Sequence, residues 1–229
     1  MGISNAIMVC YGDRPRPPFA PHAEPLCFLD RLVWSVIGDS SSTRNDDEPD
    51  LEALLALSED CQNLVGGIMD DFFHAPADRP EKGIARHSKE TMAAFQQRLH
   101  RTSPPLDLWV VFYDEMLDAP YPEHLDYCDV ITFWTWHSET LFKLEKNFEK
   151  LEQLAPSHRK LLGCYMWDYG GGKPMPVNLM QHQCALGLEW LRAGRLDGMI
   201  FLASNLCGLD VDTVAWTGRW IADVGDERL

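Results

Sequence analysis

Two adjacent carboxylates stand out in Met69-Asp70-Asp71-Phe72-Phe73, because they are set between bulky apolar residues at the end of the apolar run Val65 to Met69. Burial and mutual repulsion at such a position push at least one carboxyl pKa upward, which is what a general acid needs. A second carboxylate set follows in Tyr113-Asp114-Glu115, and a third carboxylate, Asp168, lies between Trp167 and Tyr169. Alternation along the run before it puts Trp109, Val111, Tyr113 and Glu115 on one face. Glu115 is therefore the expected pocket residue and Asp114 the expected helix cap. A pair of carboxylates flanking a glycosidic bond is the chemistry of most glycoside hydrolases, and the sequence offers that pair in several ways. An isolated Asp in a loop is ordinarily a cap or turn former, so the combination of carboxylates with tryptophans carries the signal.

Thr132, Trp134 and Trp136 share one strand face, and Trp167 and Tyr169 share another. Trp134 reads as core filling. Trp136 and Trp167 lie nearer the strand ends, where a flat ring with an N–H edge suits stacking on a sugar. Tyr113, Tyr169, Asp39 and Asn205 complete the expected substrate-binding set.

Other chemistries lack their signatures. Gly38 to Thr43 and Gly170 to Lys173 do not match the phosphate-binding pattern G-x-x-x-x-G-K-[ST] and read as flexible loops. His74 and His137 show no H-x-H or H-E-x-x-H spacing, so no metal site is expected, and no cofactor motif occurs. The Gly-x-Ser-x-Gly elbow of serine hydrolases is missing too.

The elements that must position these residues repeat one theme: a short apolar run, a polar or Gly-containing loop, and an amphipathic helical stretch. Strands are expected at Ala6 to Tyr11, Leu32 to Ile37, Val65 to Met69, Leu108 to Tyr113, Val130 to Trp136, Leu161 to Trp167 and Gly198 to Ala203. Their near-continuous hydrophobicity is that of parallel strands buried on both faces. Leu141, Leu144, Phe148 and Leu151 fall on one helix face, as do Met180, Cys184, Leu188 and Leu191, with Gly194 as the stop. Ile84, Met92, Phe95 and Leu99 are expected to line a third helix, and Pro15 to Pro25 a long irregular loop.

Alternating strands and helices permit a doubly wound sheet or a (β/α)8 barrel. Polar and aromatic residues gather after nearly every strand, and no G-x-G-x-x-G follows the first, which favours an α/β TIM-like barrel spanning residues 1–229 as one domain. Only seven strands are found, so one strand of the eight, the first, is read as absent or unrecognised. That predicts a gap beside Ala6 to Tyr11, or a partner segment covering the edge, with self-association there.

The strand ends at Ile68 to Phe73, Val111 to Glu115 and Tyr165 to Tyr169 resemble those of (β/α)8-barrel glycoside hydrolases. Asp70-Asp71 also resembles, at the level of the motif, the Asp-Asp pair of O-GlcNAcase-type hexosaminidases. There one carboxylate orients the substrate acetamido group and its neighbour is the acid/base. The resemblance implies glycosidic-bond hydrolysis with Asp71 as acid, Asp70 orienting the substrate, and Glu115 or Asp168 as partner. Two other classes stay open: a metal-dependent sugar isomerase, epimerase or aldolase using Asp70, Glu115, Asp168 and a histidine, and a non-catalytic carbohydrate-binding barrel.

Composition bounds the partners. With 35 acidic against 20 basic side chains the formal net charge is −15, which argues against nucleic acid and anionic membranes. No apolar run approaches the roughly 20 residues needed to span a bilayer. The seven cysteines are odd in number and form no C-x-x-C, and reduced thiols in a cytoplasmic chain are expected.

Overall fold

The structure is a computed structural model that describes residues 2–42, 44–45, 50–73, 84–118, 121–202 and 205–227. Its main strands are β1 (Asn5–Met8), β2 (Arg31–Ile37), β3 (Leu64–Met69), β4 (Asp107–Tyr113), β5 (Val130–Trp134), β6 (Arg159–Tyr165) and β9 (Gly198–Leu202). Helices α1 (Ala20–Ala23), α2 (Leu51–Asp60), α3 (Lys89–His100), α4 (Pro122–Leu125), α5 (Leu144–Leu154), α6 (Val177–Arg192) and α7 (Asp212–Val224) alternate with them. Sheet order follows chain order, β1-β2-β3-β4-β5-β6-β9, and a separate hairpin pairs β7 (Trp167–Asp168) with β8 (Lys173–Pro174). This is the α/β, TIM-like class, with seven strands in linear order among the described residues.

The chain forms two compact units, one comprising residues 4–111 and 119–131 and the other residues 1–3, 112–118 and 132–229. In the first unit β1 pairs in parallel with β2, β2 with β3, and β3 with β4. The strands form because their apolar runs bury both faces: Leu32 to Ile37 and Gly66 to Met69 are buried throughout. Helix α2 lays Leu51, Leu54 and Leu57 inward. A Cβ on Gly67 would come within 2.7 Å of Leu54, so that glycine lets α2 approach β3 closely. Helix α3 buries Met92, Phe95 and Leu99 at helical spacing.

In the second unit β6 pairs in parallel with β9. Helix α5 buries Leu144, Phe148 and Leu151, with Leu141 buried in the preceding 3-10 turn. The face that α6 buries carries Met180, Gln183, Cys184, Gly187 and Trp190, and Leu188 and Leu191 flank it half-buried. Gly194 stops that helix at φ +68°, a conformation a glycine adopts without Cβ strain.

Five boundaries differ from the sequence reading. β1 spans Asn5–Met8 and stops short of Tyr11, which instead makes an isolated antiparallel bridge with Arg14. Ile84 lies outside α3, because Ser88 caps the helix by accepting the Thr91 N–H at 3.3 Å. Residues 84–88 instead run back along the β3 end, with the Arg86 N–H donating to the Phe72 carbonyl at 2.9 Å. Strand β6 ends at Tyr165, and Trp167 belongs to the hairpin, paired with Pro174. The chain turns there although the apolar run continues. β5 likewise stops at Trp134, short of Trp136. The Pro15 to Pro25 stretch includes the short helix α1, whose first turn holds a proline, where the missing N–H costs nothing.

Candidate active site

In the first unit the loops after β1, β2 and β3 are tied into one network. Asp39 accepts the Gly12 N–H at 3.1 Å and the Ser41 hydroxyl at 2.7 Å. Asp13 accepts the Ser42 hydroxyl at 2.7 Å, and Arg44 donates to the Asp13 carbonyl and pairs with Asp50. Gly38 donates its N–H to the Asn45 side chain at 3.0 Å. The described part of the Gly38 to Thr43 loop is thereby pinned, with the Ser40 N–H donated to Asp71 Oδ2 at 3.0 Å. Its amides are spent on acceptors of the protein itself, side-chain oxygens for Gly38, Ser40 and Ser41 and backbone carbonyls for Asp39 and Ser42.

This network positions Asp70 and Asp71. Asp70 follows directly on β3, its backbone held by donation to the Ile37 carbonyl at 2.9 Å. Asp71 sits at φ +41°, a left-handed conformation uncommon for a side chain with a Cβ, and its N–H donates to Asp70 Oδ1 at 3.0 Å. Both are half-buried. Burial, then the neighbouring charge of Asp71, then that of Asp39, push the Asp70 carboxyl well above the usual carboxylate range. The Asp71 N–H and Arg86 oppose this without reversing it. Arg86 is held in place by donating to the Gly38 carbonyl at 2.7 Å and the Ser42 carbonyl at 2.8 Å. Arg86 was not among the residues read from the sequence; recognising Ser88 as the cap of α3, which leaves residues 84–87 outside the helix, is the signal that would have drawn attention to it.

In the second unit five aromatic rings cluster. Trp134 and Tyr165 lie with ring centroids 4.6 Å apart, Trp136 stacks on Tyr169 at 5.7 Å, and Tyr113 meets Trp136 edge-on at 5.7 Å. Trp134 is buried and donates its indole N–H to Thr132 at 2.9 Å, so it fills the core as expected. Trp136 and Tyr169 are half-buried, as is Trp167. Asp168 is 3% exposed. It accepts the Ser138 hydroxyl at 2.6 Å, the Ser138 N–H at 3.2 Å and the Gly171 N–H at 2.9 Å. Burial alone raises its pKa, but those hydrogen bonds and Lys173 outweigh it and the net shift is downward. Asp168 thus anchors the hairpin loop to the turn after β5.

The second carboxylate set is arranged contrary to strand parity. β4 ends at Tyr113 and Asp114 to Met116 form a 3-10 turn, which leaves Glu115 exposed and Asp114 half-buried. Asp114 accepts from the Thr140 hydroxyl at 3.1 Å and from Asn147 at 3.5 Å. Burial raises its pKa, against the Thr140 hydroxyl and the backbone N–H groups of Trp136, Asp114 and Glu115. Asn205 is exposed in the turn after β9. His74 lies outside the described residues. Among the described residues no three His, Cys, Asp or Glu side chains assemble as a metal centre, and no helix is long and apolar enough to cross a membrane.

No family model and no curated protein sequence matches the chain. The fold is similar to that of a candidate α-L-fucosidase from Bacteroides thetaiotaomicron, with a TM-score of 0.59 at 13% identity, over 96% of this chain and 83% of that one. A β-D-glucuronidase from Dictyoglomus thermophilum matches with a TM-score of 0.47 at 11% identity, over 78% of this chain and 36% of that one. The chain therefore spans about a third of the glucuronidase. The catalytic domain of a hyperthermophilic chitinase from Pyrococcus furiosus gives 0.44 at 12% identity, over 87% and 83%. At these identities the likeness is one of fold.

Proposed function

We propose that the chain is a glycoside hydrolase whose acid/base group lies in the Asp70–Asp71 pair. The observation that carries this reading is the geometry of the pair: two half-buried carboxylates joined by one peptide at the end of β3, with the Asp71 N–H on Asp70 Oδ1, where burial and the neighbouring charges push the Asp70 carboxyl upward. The electrostatics favour exchanging the roles expected from the sequence, with Asp70 as acid and Asp71 orienting the substrate. Asp70 donates its proton to the glycosidic oxygen as the C–O bond breaks, so the leaving group departs as an alcohol. The carboxylate left behind takes a proton from the attacking water, which restores the acid. Two carboxylates joined by one peptide approach a sugar from the same side, which suits an orienting role for Asp71 better than nucleophilic attack on the opposite face. The fold-level likeness to a candidate fucosidase agrees with carbohydrate as the substrate class.

The test is turnover of a panel of natural glycosides and matching aryl glycosides by the parent and by Asp70→Asn. The variant keeps nearly the same size but has no transferable proton. Natural substrates are expected to lose roughly 10²-fold or more in kcat, and activated aryl glycosides much less, because their leaving group needs no protonation. Equal losses on both would remove Asp70 from the acid role. Sugar binding without any turnover would make the chain a carbohydrate-binding protein instead.

A further inference from the structure

Away from the strand ends, the first unit contains a cavity of about 340 Å³ lined by Ala20, Ala23, Cys27, Leu57 and Cys61 among others. Two of its lining residues are free thiols, Cys27 exposed and Cys61 4% exposed. They come from separate segments. Cys27 closes the 3-10 turn Glu24–Leu26, and Cys61 is the C-cap of α2. Asn63 locks the two segments together: its side-chain amide donates to the Leu26 carbonyl at 3.1 Å and the Leu29 carbonyl at 3.0 Å, on either side of Cys27. The Asn63 side-chain oxygen accepts the Cys61 thiol at 3.1 Å, and its backbone carbonyl accepts the Leu32 N–H at 2.8 Å. The Cys27 thiol donates to the Ala23 carbonyl at 3.7 Å, and burial first, then the neighbouring Cys27 thiol, raise the Cys61 pKa.

We propose that Cys27 and Cys61 are an oxidisable thiol pair that closes into an intramolecular disulfide under hydroperoxide, with Cys27 the reacting thiol and Cys61 the resolving one. The Cys27 thiolate attacks the O–O bond of hydrogen peroxide and takes one oxygen as a sulfenic acid, while the hydroxide that leaves is protonated to water. The Cys61 sulfur then attacks the Cys27 sulfur, the S–O bond breaks, and the second hydroxide leaves as water with the proton of Cys61. In sum two thiols lose two electrons and two protons, and one peroxide becomes two waters. Exposure selects Cys27 as the entry point, and the Asn63 clamp keeps the partner close enough that the sulfenic acid does not persist.

The experiment is hydrogen peroxide titration of the reduced, full chain, followed by alkylation and non-reducing peptide mapping. The expected result is a Cys27–Cys61 linked peptide, reversible by dithiothreitol, formed before any other cysteine is modified. In Cys61→Ser the link is lost and Cys27 is trapped by a sulfenic-acid reagent such as dimedone. Asn63→Ala, which releases the clamp, should slow linking several-fold while Cys27 oxidation itself continues. Oxidation of Cys27 to a stable sulfenic or sulfinic acid in the parent, with Cys61 still alkylated, would overturn the proposal, as would preferential linking of either thiol to another cysteine.

Discussion

Asp70 and Asp168 show how one side-chain type takes opposite roles from its surroundings. Asp168 has three hydrogen bonds and a lysine nearby, so its charged form is favoured, whereas Asp70 has burial and two like charges against it. A folded pKa raised above the unfolded value of about 3.9 gives stability that is present in acid and lost as pH rises through the folded value. Asp70→Asn is therefore expected to melt higher than the parent at pH 7, with the gap closing toward pH 4; a variant that melts lower at pH 7 would contradict this. Asp168 carries the reverse sign, its contribution present above the unfolded pKa and lost as pH falls through the depressed folded value. Asp168→Asn leaves Ser138 and Gly171 poorly matched and should cost about 2 kcal/mol, or roughly 4–8 °C in Tm, near neutral pH. The sequence made both residues visible as strand-end carboxylates but not their difference, since that depends on Ser138 and Gly171 in one case and Asp39 and Arg86 in the other. Asp114 and Glu115 were assigned by strand parity, which ended when the chain entered a 3-10 turn at Asp114.

Strand–strand contact sets the element-scale predictions. A Cβ on Gly163 in β6 would lie 2.0 Å from the Trp134 ring of β5, so Gly163→Ala must displace a buried indole. The expected cost is about 3 kcal/mol by chemical denaturation, with Trp fluorescence altered; an unchanged midpoint would show that the indole moves freely. Ser88→Ala, which removes the cap of α3, should cost about 1 kcal/mol. The strands were legible because burial on both faces writes continuous apolar runs, and β2, β3 and β4 fall within one residue of the expected ranges. Their C-terminal limits were harder. Trp167 extends an apolar run, yet the hairpin is imposed by Asp168 binding Gly171, a contact that no periodicity encodes. Ile84 matched the spacing of α3 but lies before its cap.

The whole chain carries a formal charge of −15, and its cross-segment ion pairs are mostly on exposed side chains such as Lys150–Asp118 and Arg98–Glu52. Such pairs contribute little, so general repulsion dominates. Raising ionic strength from about 0.01 to about 0.15 M should raise Tm, and a fall would mean that specific pairs outweigh the net charge. The seven strands of the main sheet among the described residues were readable from the βα rhythm. The acid's identity was not, because a like-charge pair declares that one pKa rises without saying which. Its most direct test is a carboxyl ¹³C NMR titration of Asp70 in the parent and in Asp71→Asn. Asp70 is expected to titrate clearly above the ordinary Asp range in the parent, and lower in the variant, where one neighbouring charge is gone. Titration of Asp70 within the ordinary range, or a value unmoved by Asp71→Asn, would contradict the proposed acid.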